Sequence, residues 1–279
     1  MILSGATVVV TGAARGIGRT IAEAFAAQGS NLGLIDLREA DLEETAKVLG
    51  AAGARVLTRA VDVTNRIQAE EAARFFREKF GRTDILVNNA GTFSVVGPAW
   101  EVDPELWFRD IRVNLYGTFL VCRAFLPAMV EAGSGYLINM ASSGGVIEPH
   151  AFASNYSSSK VGIVRFSEAL AIELKSHGIK VFSIGPPAVM SDMTRFLLED
   201  ANAKKWRPGL QDIFDEKKDY PPRIVSDLVL QLVSGRADML SGKYFLATRD
   251  LEEILARAGQ ISGSDELTLR IRGEPPGQR

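Results

Sequence analysis

A tyrosine and a lysine lie four residues apart in Tyr156-Ser157-Ser158-Ser159-Lys160, at the start of a stretch with helical character. Side chains four residues apart share one face of a helix, so this phenol and this ammonium group can act on one proton. A phenol has a pKa of about 10, and a base that works near neutral pH needs a pKa roughly three units lower, a difference of about 4 kcal/mol. The positive charge of Lys160 would supply part of that lowering. The pair therefore predicts that Tyr156 exchanges a proton with an alcohol or a carbonyl oxygen.

A hydroxyl group that could hold the reacting oxygen of a substrate is found at Ser142, just after the apolar run of residues 136–140. Such a donor stabilises the charge that develops on the oxygen, and Ser143 is the rival for this role. Serines at strand ends are often only turn formers, and Tyr-x-x-x-Lys occurs by chance. The chemistry therefore depends on the elements that place these side chains together.

The segment Thr11-Gly12-Ala13-Ala14-Arg15-Gly16-Ile17-Gly18 follows a short apolar run and precedes a helical pattern. In this context Gly12 permits a tight turn, Gly16 lets the backbone approach phosphates, and Gly18 lets the helix pack near the strand. The start of the helix adds free N–H groups and a partial positive charge. The spacing G-x-x-x-G-x-G thus predicts a dinucleotide site, the alternative being an ordinary strand-to-helix turn with chance glycines.

Charged residues after the next two strands bear on the choice of nucleotide. Asp36 ends the second apolar run, where a carboxylate can accept hydrogen bonds from ribose hydroxyls and repels a 2′-phosphate, which favours NAD over NADP. Arg15 and Arg38 argue the opposite way because either could meet a phosphate, unless they are solvated surface residues. Asp62 and Val63 follow the third strand and could contact the adenine, with Asp62 as a helix N-cap as the alternative.

Seven short apolar runs alternate with helical patterns along the chain, which predicts a parallel sheet covered on both faces. The fold class is α/β, a Rossmann-like doubly wound parallel sheet in three layers. The predicted strands cover residues 7–10, 32–35, 55–61, 85–87, 136–140, 181–184 and 244–246. The predicted helices cover residues 17–28, 42–51, 67–80, 104–125, 154–176 and 223–233.

The chain shows neither a large Gly, Ser or Pro linker nor an internal repeat, which predicts one dinucleotide-binding oxidoreductase domain over residues 1–279. The alternation breaks at about 189–222, a long mixed segment that we interpret as a substrate lid. A C-terminal extension follows from about 249 to 279. It contains a short helical pattern and the apolar segment 267–271, and residues 273–279 resemble a frayed tail.

Composition narrows the function classes. A formal net charge of −2 argues against a nucleic-acid partner. The single cysteine, Cys122, has no internal disulfide partner and is interpreted as a core residue rather than a catalytic thiol. The start of the chain lacks a signal-peptide pattern, and no uninterrupted apolar run of about 18 residues is present. We therefore expect a cytoplasmic protein with no membrane partner, and no metal site is predicted.

The motifs together resemble the short-chain dehydrogenase/reductase family over about residues 4–244. The family pattern T-G-x-x-x-G-x-G matches residues 11–18, and N-N-A-G matches residues 88–91, which in the family steady the sheet and border the adenosine. The resemblance implies a catalytic set in which Asn114 holds a water of the proton relay. Asp36 makes NAD the expected cofactor, with NADP as the weaker expectation. The implied catalytic residues are Asn114, Ser142, Tyr156 and Lys160.

The cofactor-binding residues follow from the turn, the strand ends and the resemblance. They are Gly12, Arg15, Gly16, Ile17, Gly18, Asp36, Asp62, Val63, Asn89, Ala90, Gly91, Tyr156, Lys160, Pro186, Val189 and Ser191. The sequence departs from the family at Pro186-Pro187, where Pro-Gly is common, at Phe182, where Asn is common, and at Ser191, where Thr is usual. The family's glycine-rich ending is absent. A homodimer or homotetramer is expected, formed through the helices of residues 104–125 and 154–176.

Apolar residues of the insertion and of neighbouring loops predict a pocket for a medium-sized, mostly apolar secondary alcohol or ketone, aromatic or cyclic. The candidate substrate residues are Phe93, Ser142, Val146, His150, Tyr156 and Phe196. Lysines of the insertion are spread out and balanced by acids, so a strongly anionic substrate is not required. His150 could instead be a surface residue, and the insertion could pack only on a partner subunit. The alternative functions are an NADPH-dependent 3-oxoacyl reductase and a catalytically silent nucleotide-binding regulator.

Overall fold

The computed structural model describes residues 2–270. Runs rich in β-branched and aliphatic residues form seven strands, all parallel, in the order β3-β2-β1-β4-β5-β6-β7. This arrangement confirms the predicted doubly wound parallel sheet. The strands are β1 (Thr7–Thr11), β2 (Asn31–Asp36), β3 (Val56–Ala60), β4 (Ile85–Asn88), β5 (Gly135–Met140), β6 (Ile179–Gly185) and β7 (Tyr244–Leu246).

The order of the strands reverses between β1 and β4, which places a crevice at their carboxyl ends. Open α/β sheets bind ligands in such a crevice. Val8 and Val10 of β1 face one apolar core, and Val9 faces the other, as the two-residue period of a strand requires. The sheet is therefore the middle layer of three, with helices packed on both faces.

The helices of the main alternation are α1 (Gly16–Ala27), α2 (Glu39–Ala51), α3 (Arg66–Phe80), α4 (Pro104–Ile111), α5 (Thr118–Ala132), α6 (Ser154–Glu173) and α10 (Arg223–Leu232). Phe25 of α1 and Val229 of α10 lie in the first core, and Phe76 of α3 and Phe125 of α5 lie in the second. Asp103 caps α4 by accepting hydrogen bonds from the N–H groups of Glu105 and Leu106.

A π-helical turn, Arg112–Gly117, joins α4 to α5 and carries Asn114. The continuous helix Pro104–Ala132 is long and apolar enough to cross a membrane by length and composition alone, but half of its most apolar window is buried inside the fold. Core helices of soluble proteins meet the same criteria. Cys122 in α5 is buried, accepts a hydrogen bond from the Asn88 amide, and has its pKa raised to about 12 by burial.

The segment 189–222, predicted as an insertion, forms three short helices: α7 (Asp192–Glu199), α8 (Ala201–Trp206) and α9 (Gly209–Asp215). We call residues 189–222 the lid segment. The C-terminal extension forms α11 (Leu251–Ala256) and α12 (Ala258–Ser262) and then returns to the fold, where Leu267 O accepts the N–H of Tyr244 at 2.9 Å and Leu269 O accepts the Arg165 guanidinium. The predicted tail, residues 273–279, lies outside the described residues.

Candidate active site

A cavity of about 870 Å³ lies at the carboxyl ends of the strands and runs from the glycine turn to the lid segment. Its lining includes most of the cofactor residues that the sequence predicts, together with Ser142, Tyr156, Lys160, Phe93 and His150. Residues that are far apart in the chain therefore meet in one concave site. Such a cavity is the usual setting for a small molecule and its cofactor.

The glycine turn has the geometry that a phosphate site needs. Gly12 and Gly16 have positive φ values of 64° and 55°, a region that favours glycine. A Cβ atom on Gly12 would lie 2.9 Å from Ala90 Cα, and one on Gly18 would overlap the carbonyl oxygen of Gly12. Gly18 therefore acts through packing and does not line the cavity. The start of α1 carries no side-chain cap, so its N–H groups are available to an anion.

The strand end of β4 is tied to the same turn. The Thr11 hydroxyl accepts the N–H groups of Asn89 and Ala90, both at 3.0 Å, and the Asn89 amide donates to the carbonyls of Thr11 and Gly12 at 3.1 Å. Asn89, Ala90 and Gly91 line the cavity beside the turn. These four bonds hold the predicted phosphate loop against the neighbouring strand, and Thr11 is the bracing residue that the sequence prediction did not single out.

Asp36 lies at the cavity edge, and its carboxylate accepts the N–H of Ala14 at 3.0 Å and that of Arg38 at 3.2 Å. Arg15 forms a salt bridge with Asp192 at the start of the lid segment. Arg38 pairs with Asp41 at 3.0 Å and lies 4.0 Å from Asp192. The two arginines that could meet a phosphate are therefore surrounded by three carboxylates.

Asp62 and Val63 line the cavity next to this edge. The Asp62 carboxylate accepts the N–H and the hydroxyl of Thr64 at 2.9 and 2.8 Å, which forms a local turn. Asp62 is not the helix N-cap, the alternative considered from the sequence. Asn65 caps α3 instead, because it is the residue directly before the first helical position and its side chain accepts the N–H of Ile67 at 3.0 Å.

The Tyr156 phenol lies at the first turn of α6, near enough to the Ser142 hydroxyl for that group to lower its pKa. Its ring stacks on the Phe93 ring with centroids 4.4 Å apart. Lys160 is buried, lies 5.6 Å from the centre of the tyrosine ring, and donates to Met140 O at 2.9 Å. The structure thus brings Ser142, Tyr156 and Lys160 together at one wall of the cavity.

The pKa values of this group differ from the simple expectation that Lys160 lowers the pKa of Tyr156. Burial raises the pKa of Tyr156, and the negative charge of Asp110 raises it further, whereas the Ser142 hydroxyl and the Arg207 charge lower it. Burial lowers the pKa of Lys160 to about 8. The chain's own groups therefore leave the phenol less acidic than a base needs, and the ammonium group of Lys160 is directed at a backbone carbonyl.

Asn114 lies behind this wall and does not line the cavity. Its amide accepts the N–H of Thr92 at 2.7 Å and donates to Thr92 O and to the Ser159 hydroxyl, each at 2.9 Å. The π-helical turn presents it between the strand-end loop and α6. Asn114 thus links two elements that carry cavity residues, and a Cβ atom on Gly91 would lie 3.1 Å from its oxygen and 3.4 Å from Lys160 Nζ.

A buried carboxylate near the tyrosine was missed from the sequence. Asp110 is fully buried; it accepts the N–H of Ser94 at 2.9 Å and a hydrogen bond from the Asn155 amide. The same amide donates to Val95 O at 3.0 Å. These bonds tie the start of α6 to the loop that holds Phe93. Asp110 belongs to an irregular helix end with no recognisable motif, so no local signal could have found it.

The substrate side of the cavity contains Phe93 and His150, as predicted, but not Val146 or Phe196. Val146 packs against a separate small core around Ala141 and Ile163. Phe196 is 47% exposed on the outer face of α7, whereas the next residue, Leu197, faces the cavity. Both differences have one cause: neighbouring side chains of a helix or loop point in different directions, and those of Val146 and Phe196 point away from the site.

The loop after β6 completes the cavity with Pro186, Val189 and Ser191, and Ile17 lines it from α1. The Ser191 hydroxyl accepts the N–H of Thr194 at 3.2 Å and so caps α7. Phe182, which replaces a common family asparagine, is fully buried and packs edge-on against Phe245. The departures from the family pattern therefore leave the cavity wall intact.

Comparison with known proteins agrees with the fold and the cavity. A sequence model described as short chain dehydrogenase matches residues 6–202. The chain belongs to the short-chain dehydrogenase family. The family assignment makes the protein an oxidoreductase that binds a nicotinamide cofactor and acts on a small molecule.

Two related sequences and one solved structure of a similar protein are informative about this short-chain dehydrogenase. The short chain dehydrogenase mpl6 of Monascus purpureus is 33% identical, covering 96% of this chain and 89% of its own. The D-threitol dehydrogenase of Mycolicibacterium smegmatis is 37% identical over 86% of this chain and 90% of its own. A variant of actinorhodin polyketide ketoreductase, solved with NADPH, has a TM-score of 0.80 and 30% identity, over 87% of this chain and 95% of its own. Relatives thus include an alcohol dehydrogenase and a ketone reductase.

Proposed function

We propose that this protein is an NAD(H)-dependent short-chain alcohol dehydrogenase or ketone reductase that acts on a medium-sized, largely apolar secondary alcohol or ketone. The observation that carries the proposal is the meeting of Ser142, Tyr156 and Lys160 on one wall of a cavity whose other end is the glycine turn. A catalytically silent regulator would not need this set. The relatives named for alcohol and ketone chemistry support the same reaction class.

The residues of the cavity match the groups that a dinucleotide presents. Gly12, Gly16 and the uncapped start of α1 would hold the pyrophosphate, Asp36 the adenosine ribose, and Asp62 and Val63 the adenine. Asn89, Ala90 and Gly91 would border the adenosine side, and Pro186, Val189 and Ser191 the nicotinamide. When bound, the oxidised nicotinamide accepts a hydride and adds positive charge near the phenol.

In this proposal Tyr156 is the general acid/base. Its hydroxyl takes the proton from the substrate alcohol in the oxidative direction and returns it in the reductive direction. Ser142 donates a hydrogen bond to the reacting oxygen, and Lys160 supplies nearby positive charge. Because burial and Asp110 raise the pKa of Tyr156 while Arg207 and Ser142 lower it, a further positive charge near the phenol is needed for base catalysis.

NAD is the preferred nucleotide in this proposal because of the charges at the adenosine edge. The Arg15 guanidinium pairs with Asp192 and also interacts with the charge of Asp36, and the Arg38 guanidinium pairs with Asp41, so two positive charges meet three negative ones. A 2′-phosphate would have to compete with these acids for the arginines, whereas ribose hydroxyls need only Asp36. NADP remains the alternative, supported by the NADPH in the solved ketoreductase.

Incubation of the protein with NAD⁺ or NADP⁺ and a panel of secondary alcohols, followed by nicotinamide absorbance, tests the proposal directly. We expect reduction of NAD⁺ with bulky apolar alcohols, and a lower kcat/KM with NADP⁺. Nucleotide binding without turnover of any alcohol or ketone would favour the regulator. A higher kcat/KM with NADP⁺ would overturn the nucleotide assignment.

We also propose that the protein assembles as a homodimer or homotetramer through α4, α5 and α6. Tyr116 and Phe119 are 46% and 42% exposed, and Phe119 meets Phe166 of α6 edge-on. Large apolar side chains on neighbouring helices are typical of an interface. Phe125, Val164 and Leu170, on other faces of the same helices, are buried in the core. Light scattering at micromolar concentration should show an oligomer, and Phe119→Asp should shift it towards the monomer, whereas the exposed control Ile67→Asp should not.

A further inference from the structure

Arg207 places a guanidinium group in the substrate half of the cavity. It follows α8 in the lid segment and lines the cavity with Tyr156 and Phe93. One of its nitrogens lies 2.9 Å from His150 Nδ1, and its central carbon lies 5.8 Å from the centre of the Phe93 ring. The group is therefore held next to the candidate catalytic tyrosine by contacts from two different loops.

This arginine has no carboxylate partner among residues 2–270, where no acidic oxygen lies within 4.0 Å of its nitrogens. Glu148 also lines the cavity, but it forms no ion pair with Arg207. Its charge opposes the lowering of the His150 pKa that burial and Arg207 cause. Arg15 and Arg38 at the other end of the cavity both have carboxylate partners. A partly buried guanidinium without an acid loses hydration without compensation, which is unfavourable unless a ligand supplies the missing charge.

A purely structural role for Arg207, through its contact with His150, explains only part of its hydrogen-bonding capacity. His150 can take one N–H of the guanidinium, which leaves most of its five donors for other partners. A planar guanidinium matches a carboxylate with two parallel hydrogen bonds. Apolar side chains also line this cavity: Phe93, Met193, Leu197, Leu210 and Ile213. The pocket thus combines a partly buried guanidinium with an apolar wall.

We infer that the substrate carries a carboxylate, which Arg207 binds, on an apolar body whose alcohol or ketone reaches Tyr156 and Ser142. This inference rests on the proposed function and specifies its substrate as an apolar hydroxy acid or oxo acid. It goes beyond the expectation from sequence that a strongly anionic substrate is not required, because that expectation counted the lysines of the insertion and not Arg207. The acids that balance those lysines do not reach the cavity position of Arg207.

Binding of a matched pair of ketones tests the inference. The probes are 4-oxo-4-phenylbutanoate and its methyl ester, which differ in charge and keep the same aryl ketone. Titration calorimetry with the protein saturated with NAD⁺ avoids turnover, since a ketone cannot be oxidised. We expect the wild type to bind the acid at least about tenfold more tightly than the ester, and Arg207→Met to remove that preference by weakening the acid about 10- to 100-fold.

Matched variants separate the charge of Arg207 from the charge of the cavity as a whole. Arg109→Met removes another arginine that lines the cavity and should leave the acid-to-ester ratio unchanged. Arg207→Lys keeps the charge without the planar fork and should retain an intermediate preference. Thermal denaturation checks that each variant is folded.

The inference is overturned if the wild type binds both probes equally, if it binds neither, or if Arg207→Met leaves the ratio unchanged. Titration with NAD⁺ and NADP⁺ alone comes first. If neither nucleotide binds, the proposed function has failed. If a nucleotide binds and apolar alcohols are oxidised while the acid shows no advantage, the proposed function stands and only the carboxylate inference falls.

Discussion

The two halves of the cavity are built in different ways. In the nucleotide half, the turn of residues 11–18 and the strand-end residues Asn89 and Ala90 are held by hydrogen bonds to backbone atoms of the central sheet. In the substrate half, three short lid helices meet loops from distant parts of the chain, and the contacts are between side chains, such as that of Arg207 with His150. In the proposed function the sheet therefore fixes the cofactor's position, while the lid segment forms the wall that a substrate would contact.

Tyr156 lies where the two halves meet, and its removal should give the largest effect. Tyr156→Phe removes only the hydroxyl, so nucleotide binding should be retained while kcat falls about 10²- to 10⁴-fold, the range for loss of a general acid or base. Steady-state kinetics and calorimetric titration of the nucleotide measure the two quantities. Tyr116→Phe, at an exposed position on the π-helical turn, is the matched control and should keep full activity. A Tyr156→Phe variant with wild-type turnover would contradict the mechanism.

The difference between the halves explains what the sequence could predict. Gly12, Gly16 and Asp36 belong to a strand-turn-helix-strand unit in which local spacing fixes geometry, so their places in the cavity were predictable. Arg207, Asp110 and Leu197 reach the cavity only through tertiary packing. No sequence pattern around Arg207 distinguishes it from the lysines of the same segment. Which face of α7 is exposed depends on where the helix begins, and the structure places that start at Asp192.

Substitution of Asp36 tests the role of the nucleotide half in choosing between NAD and NADP. Asp36→Ala should weaken NAD⁺ binding by about 1–3 kcal/mol, because ribose hydroxyls lose an anionic acceptor, and should improve NADP⁺ relative to NAD⁺. Calorimetric titration with both nucleotides measures the change. Asp36→Asn removes the charge but keeps one oxygen, which can accept the N–H of Ala14 or that of Arg38, whereas Asp36→Ala loses both bonds; the two variants together distinguish loss of charge from loss of loop support. Asp41→Ala, outside the cavity lining, should leave NAD⁺ binding unchanged; an equal loss in both alanine variants would contradict the assignment.

The dependence of stability on pH tests whether Lys160, which lies between the two halves, is desolvated. Its pKa in the folded protein is about 8, below the ordinary value of lysine, so the unfolded chain binds more protons between about pH 8 and pH 10. Stability should therefore rise with pH in this window, by on the order of 1–2 kcal/mol between about pH 7.5 and pH 9.5 from this group. Urea denaturation of the nucleotide-free protein measures the rise, which Lys160→Met should remove and the exposed control Lys175→Met should not. Parallel pH profiles of the wild type and Lys160→Met would show that Lys160 is not desolvated.

The smallest effect separates two neighbouring residues of the lid segment. Leu197 is 7% exposed and faces the cavity, whereas Phe196 is 47% exposed and faces away from it. If the lid segment forms the wall of the substrate pocket, Leu197→Ala should raise KM for a bulky apolar substrate several-fold, since part of the apolar contact is lost, about 0.8 kcal/mol for each buried methylene. Phe196→Ala removes a larger side chain and should leave KM unchanged. Steady-state kinetics with one apolar alcohol measures both variants, and nucleotide binding should not change in either. If Phe196→Ala has the larger effect on KM, the wall is made by the other face of α7 and the substrate half must be closed differently.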